Sequence, residues 1–211
     1  MKRLKVNNSA YIIGGGTSLE EAVNDKALLE KLNSYTLIGC NKAVETFDCK
    51  YMVYFDVDFP KKHTAMLHNF KGKYIYAPDT TKNVLCPDNT RYFKISGLPR
   101  CDLRSGLYIG NNSGVLALSL TVALGYKNIY LLGMDCRFNR RTNKSHFHGG
   151  YQDPANENGY NGMATAFDVI GKYIKECHKD VTVYNCSSIS LVDKKREYSK
   201  YLPLRIAING H

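Results

Sequence analysis

"SGVLALSLTVALGYKNIYLLGMD" (residues 113–135) decides the fold. Its first half is apolar nearly all round, the signature of a helix buried on every side. Gly125 stands where such a helix would close with a left-handed residue. Ile129–Leu132 is a short apolar run of strand character that opens at Gly133. A buried helix followed by a buried strand predicts a sheet covered by helices.

The same arrangement recurs toward the N-terminus. In "YIIGGGTSLEEAV" (11–23) a buried strand, Ala10–Ile13, runs into three glycines and then an acidic helix start. Ser18 is placed to cap that helix, whose apolar positions Leu19, Ala22, Val23, Leu28, Leu29 and Leu32 recur at helical spacing. Further strands are expected at Tyr35–Gly39, Tyr51–Phe55, Lys73–Tyr76 and Val181–Tyr184. An amphipathic helix is expected over Gly162–Lys179, with residues 78–110 irregular and 136–158 a long polar loop. The alternation predicts a single α/β domain. Its sheet is Rossmann-like and mostly parallel with helices on both faces, over residues 1–193, followed by a C-terminal tail at 194–211.

With 211 residues the chain is long enough for one sizeable core. No apolar stretch is long enough to span a membrane, and the basic N-terminus has too short an apolar run for a signal peptide, so a cytoplasmic location is expected. Seven scattered cysteines without a C-x-x-C pair argue for reduced thiols rather than a zinc knuckle or disulfide framework. The net charge of +10 suits phosphate-bearing partners, nucleotides, nucleic acid or an anionic membrane, or is a lysine-rich solvated surface.

In parallel sheets ligands bind at the carboxyl ends of strands, so chemistry is sought in the loops after them. Gly14, Gly15 and Gly16 with Ser18 open a helix, where bare backbone N–H groups can cradle a phosphate. The spacing is neither G-x-G-x-x-G nor a P-loop, and a tight turn explains it equally. Asn41, after the second strand, can reach a ribose or base edge, or simply make a turn. Asp56 and Asp58 form a D-x-D that suits a divalent cation such as Mg²⁺ against a diphosphate, or a turn without metal. Asn112, Ser113 and Gly114 open the buried helix, as a cap or as a second anion site. Asp135 ends the fifth expected strand, and His146 and His148 stand in the polar loop beyond it. A histidine there can be a general base with a carboxylate orienting it, or a surface residue without a role.

These pieces in this order, "IIGGGTSL", "CNKA", "SGVLALSLTVALGYKNIYLLGMD", "HFHGG" and "VYNCSSISLV", resemble the bacterial lipo-oligosaccharide sialyltransferases of the Campylobacter type. They resemble equally the wider set that includes flagellin-glycosylation-associated proteins, archaeal 6-hydroxymethylpterin diphosphokinases and phage-borne relatives. The likeness spans residues 10–192 and is most specific over Ser113–Asp135; the histidine loop resembles the phage-borne branch most. It implies a nucleotide-sugar site with Gly14, Gly16, Ser18 and Asn41 on the nucleotide, Ser113 on the donor, a loop histidine as base and no metal required for catalysis. Gly15 replaces the family's asparagine, and Gly110 or Asn111 its arginine. Aligned on Gly149, the family's base falls at Gly150, with His148 and His146 as its neighbours. The expected activity is sugar transfer from a nucleotide-sugar donor to a hydroxyl acceptor, whether glycan, small molecule or DNA, by an enzyme that forms homo-oligomers. The alternatives are a Mg²⁺-dependent pyrophosphate transfer to a small alcohol and a non-catalytic phage-type nucleotide-binding protein.

Overall fold

The computed structural model describes residues 8–82, 86–148 and 157–209. In chain order the strands are β1 (Ser9–Ile13), β2 (Leu37–Cys40), β3 (Tyr51–Val53), β4 (Tyr74–Pro78), β5 (Thr90–Phe93), β6 (Ile95–Ser96), β7 (Cys101–Asp102), β8 (Gly106–Tyr108), β9 (Asn128–Leu132), β10 (Thr182–Asn185) and β11 (Ser199–Tyr201). The helices are α1 (Glu20–Asn24), α2 (Lys26–Asn33), α3 (Phe59–Lys62), α4 (Thr64–Asn69), α5 (Ser113–Ala123), α6 (Glu157–Cys177) and α7 (Leu204–Asn209).

Eight strands form one parallel sheet in the order β11-β10-β9-β1-β2-β3-β4-β5. From β1 the chain builds outward in one direction through β5 and then returns to place β9 on the other side of β1. That reversal is the topological switch point, where a crevice opens outside the carboxyl ends of the strands. Ile13 pairs with Leu132 at the end of this junction, so the glycine loop and the Gly133 loop leave the sheet side by side.

Strand alternation divides the core between the two faces. Ala10 and Ile12 point toward α5 and α6, packing with Leu116, Leu120, Phe167 and Ile170. Tyr11 and Ile13 point the other way, onto Leu28 and Leu32 of α2 and Ala207 and Ile208 of α7. The helix over 113–123 is buried along its length, and Gly125 closes it at φ +89°. All six expected strands and the buried helix are present with ends shifted by a residue or two.

Elsewhere the chain departs from the sequence reading. The first long helix is broken at Asp25, whose carboxylate caps α2 through the Ala27 and Leu28 N–H groups. The segment 78–110 is not irregular: it supplies β5 and a small second sheet, β6-β8-β7, against the α5 side of the core. α6 begins at Glu157, five residues earlier than expected. Past residue 193 the chain adds β11 to the sheet edge and α7 to one face. Asp193 organises that turn, accepting from the N–H groups of Glu197, Tyr198 and Ser199 and from the Ser199 hydroxyl. Among the described residues no helix is long and apolar enough to cross a membrane.

Candidate functional site

A cleft of about 300 Å³ opens at the switch point. The Gly14–Gly16 loop forms one wall and the N-terminus of α5 another. The Gly133–Arg137 loop, the histidine loop and α6 close the rest. Of the residues singled out from the sequence, Gly14, Gly15, Gly16, Asn41, Asn112, Ser113, Gly114, Asp135, His146 and His148 all line it. Gly149 and Gly150 lie outside the described residues.

The glycines are explained first by how closely the chain approaches itself. The Gly14 N–H donates to Leu132 O and the Gly16 N–H to Gly133 O, each at 2.8 Å. A Cβ on Gly14 would lie 2.5 Å from Gly133 O, and one on Gly16 would lie 2.5 Å from the Asp135 carboxylate. A Cβ on Gly15 would meet His146 Cδ2 at 2.3 Å. Any side chain in this loop would push the two halves of the crevice apart.

Ser18 does not cap a helix. Its N–H and its hydroxyl both donate to the Asp135 carboxylate, at 2.9 and 2.5 Å. Asp135, 2 % exposed, therefore clamps the glycine loop to the end of β9. That engagement leaves the cleft without a free carboxylate among its described lining.

The histidine loop is held from below. Phe147 N–H donates to Gly15 O at 2.8 Å, and the Phe147 ring packs edge-on against Phe47. With Phe147 turned into the core face, its neighbours at i−1 and i+1 are turned together over the glycine loop. Their rings are 5.3 Å apart, and both Nε2 atoms lie 3.2 Å from where a Gly15 Cβ would sit. Ser145 Oγ lies 2.7 Å from His146 Nδ1. Burial, with the neighbouring His148, pushes the His146 pKa down to about 4. His146 is thus neutral at physiological pH.

On the opposite wall Asn112 caps α5, accepting from the Gly114 N–H at 2.7 Å. Ser113 Oγ donates to Asn41 Oδ1 at 3.2 Å, which ties the end of β2 to the helix start. Unusual backbone concentrates here. Asn41, Asn111 and Cys136 take φ values of +52°, +50° and +47°, beside Gly110 at +49° and Gly133 at +66°. Such conformations are uncommon outside glycine and gather where surrounding structure imposes a geometry.

Asp56 and Asp58 are placed elsewhere. Asp56 Oδ1 accepts from the Asp58 N–H in a turn, and Asp58 pairs with Lys61. Phe55, just before them, lines the cleft, but neither carboxylate does. No group of three or more His, Cys, Asp or Glu side chains able to hold a metal is found among the described residues. The described cysteines are free, and burial pushes Cys40 and Cys136, the two that line the cleft, up to about 12.

The sequence reading did not single out Arg137, Tyr160 or Met163, which also line the cleft. Arg137 is the informative one. Its guanidinium donates to Ile189 O at 3.2 Å, which uses one of its five N–H donors. A basic residue two positions past a strand-terminal aspartate was the available signal.

No protein-family model matches the chain, and no curated protein matches it in sequence. Among solved structures the chain is similar in fold to that of MAf glycosyltransferase from Magnetospirillum magneticum AMB-1, with a TM-score of 0.64 at 13% identity. The likeness covers 97% of this chain but 35% of that one, so the chain spans about a third of that protein's length. At this identity the likeness concerns the fold.

Proposed function

We propose that the cleft binds a nucleotide-sugar donor and that the protein transfers the sugar to a hydroxyl acceptor. The observation that carries this reading is the electrostatic make-up of the switch-point cleft. It combines a buried helix N-terminus, a bare glycine loop and the Arg137 guanidinium, and the one carboxylate of the described lining, Asp135, is turned to the N–H and hydroxyl of Ser18. Helix N-termini and guanidinium groups favour phosphate. The fold shared with a glycosyltransferase supports the same class.

In this reading the donor phosphates lie between the α5 N-terminus and Arg137, and Asn41, steadied by Ser113, meets the ribose or base. His148 takes the proton of the acceptor hydroxyl as that oxygen bonds to the anomeric carbon. The nucleotide departs with the electrons of the broken glycosidic bond, and its developing negative charge meets the helix N-terminus. His146, neutral and beside Ser145, contributes hydrogen bonding rather than charge.

The test is a thermal-shift panel of CMP, CDP, UDP, GDP, ADP and their sugars, each with and without Mg²⁺. A ligand at ~100 times its dissociation constant adds roughly 2.7 kcal/mol, several degrees for a chain of this size. One nucleotide class should raise the melting temperature. An absolute Mg²⁺ requirement would move the assignment to pyrophosphate transfer, with Asp56 and Asp58 as the carboxylates to examine. Tight binding without turnover would make the protein a nucleotide binder, and no shift with any nucleotide would refute the reading.

A further inference from the structure

Sugar transfer in the cleft needs one imidazole as base, and the cleft holds two. The His146 and His148 ring centroids are 5.3 Å apart, with the ring planes tilted by 35°. Both Nε2 atoms lie 3.2 Å from a single point, the place of a Gly15 Cβ, so they are separated by no more than twice that distance. Two imidazole nitrogens gathered over a bare backbone loop suit a cation that binds nitrogen.

Local contacts set the two rings in place before any ion arrives. The Phe147 N–H donates to Gly15 O, and the Phe147 ring packs on Phe47, which turns the residues on either side of it over the glycine loop. The Phe147 ring also stands edge-on to the His148 ring, with centroids 4.9 Å apart. Ser145 Oγ lies 2.7 Å from His146 Nδ1. With Nδ1–H donating to that hydroxyl, the ring's lone pair is on Nε2. An orienting hydrogen bond to the far ring nitrogen is what a metal-ligating histidine uses.

We propose that His146 and His148 form a two-imidazole site for a divalent transition ion of the Zn²⁺ class, bound through both Nε2 atoms. A tetrahedral ion at about 2.0–2.1 Å from each nitrogen would hold the ring centroids roughly 5 Å apart. The rings already stand close to that separation, at 5.3 Å. Any hydrogen bond made by Nε2 is exchanged for the bond to the ion. Imidazole suits Zn²⁺, Co²⁺, Ni²⁺ and Cu²⁺, whereas Mg²⁺ and Ca²⁺ take oxygen ligands. Among the described residues no third His, Cys, Asp or Glu completes a metal cluster, and Asp135 is turned to Ser18. Water, or an oxygen of a molecule in the cleft, fills the remaining positions, so the ion can be loaded and removed. The consequence for activity, and it alone, rests on the transferase reading. An ion on His148 Nε2 occupies the lone pair that would take the acceptor's proton, and the loaded protein is switched off.

Metal binding by the full chain tests the site without nucleotide or turnover, so its failure and that of the transferase reading are separate results. Co²⁺, a spectroscopic stand-in for Zn²⁺, should give visible ligand-field bands that saturate at one equivalent slightly above neutral pH. Zn²⁺ or EDTA should abolish the bands, and excess Mg²⁺ should not. His146→Asn and His148→Asn should each remove them, and Ser145→Ala should weaken binding about 10–100-fold. His68→Asn and His178→Asn, at histidines outside the cleft lining, should leave them unchanged. Melting curves in EDTA check that each variant is folded. Absence of the bands in the unaltered protein would overturn the proposal. So would bands that survive when both His146 and His148 are replaced, whether they come from a cysteine thiolate or from another histidine. Undiminished binding by Ser145→Ala would overturn the assignment of Nε2 as the ligand atom. Zn²⁺ bound at this site without loss of turnover would overturn the switch.

Discussion

The cleft at the carboxyl ends of β1 and β9 can be set against a second cavity at the other end of the sheet. That groove, about 660 Å³, lies near the amino ends of β3 and β4 and is more than twice the volume. Met66, Phe47 and Phe70 line it, with Glu45, Asp48, Lys50 and Lys71 as mixed charges. The C-terminal residues of α4 and of the single helical turn after β2 border it, so helix ends offer it carbonyls rather than N–H groups. The smaller cleft has the helix N-terminus, the paired histidines, the unusual φ values and an arginine with no carboxylate partner among the described residues. What separates the two is the direction in which strands and helices point, because a parallel sheet gathers all its donor ends on one side.

The largest test of this contrast is catalytic. His148→Asn should lower turnover by 10²–10⁴ while leaving nucleotide affinity within a few-fold, and Met66→Ser in the groove should leave both unchanged. Single-turnover assays with the donor found by thermal shift provide the measurement. Equal sensitivity of the two sites would remove the asymmetry argued here.

Stability gives the next contrast. A Cβ at Gly16 would lie 2.5 Å from Asp135, and one at Gly72, in the groove, 2.4 Å from Cys49 O. Both Gly16→Ala and Gly72→Ala should destabilise by about 3 kcal/mol, roughly 6–12 °C in melting temperature. Only Gly16→Ala should also abolish the nucleotide-induced shift, since it alone separates the glycine loop from the β9 loop. A smaller contrast pairs two cations. Arg137→Gln should weaken nucleotide binding at least tenfold, the value of one charge-assisted hydrogen bond, and Lys71→Gln should not change it.

The cleft was more legible in the sequence than the groove or the small sheet, for physical reasons. β1 and β9 are buried on both faces and announce themselves as apolar runs ending in glycine, so residue pattern alone locates the loops after them. Gly15 and His146 are 131 residues apart in sequence, however, and nothing local says that one is small because the other lies on it. Asp135 and Ser18 both stand out in the sequence, but as an orienting group and a cap; only tertiary contact joins them. Strands β6, β7 and β8 are two or three residues long, too short for any periodicity to appear. The polar, lysine-rich stretch after 193 hid β11 because its sheet register depends on one buried carboxylate, Asp193, inside a charge run.

The smallest expected effect concerns His146, and it separates its structural role from that of His148. Burial lowers its folded pKa to about 4, against about 6.5 in the unfolded chain. The unfolded chain therefore takes up a proton that the folded protein refuses over this interval. The stability this group contributes is complete above about pH 6.5, declines as pH falls toward 4, and changes no further below that. Because the ring is partly open to solvent, the loss should be roughly 1 kcal/mol rather than the full value of the shift. Denaturant titrations of the unaltered protein and of His146→Asn between these pH values read it directly, and the variant should show a flatter pH dependence. Retention of the whole slope in the variant would mean that other groups carry it and that His146 is not the neutral ring pressed on Gly15. A bound nucleotide should shrink the effect. Phosphates beside His146 favour the protonated ring and raise its folded pKa toward the unfolded value, so in the complex the decline should be smaller and should end at a higher pH than in the free protein.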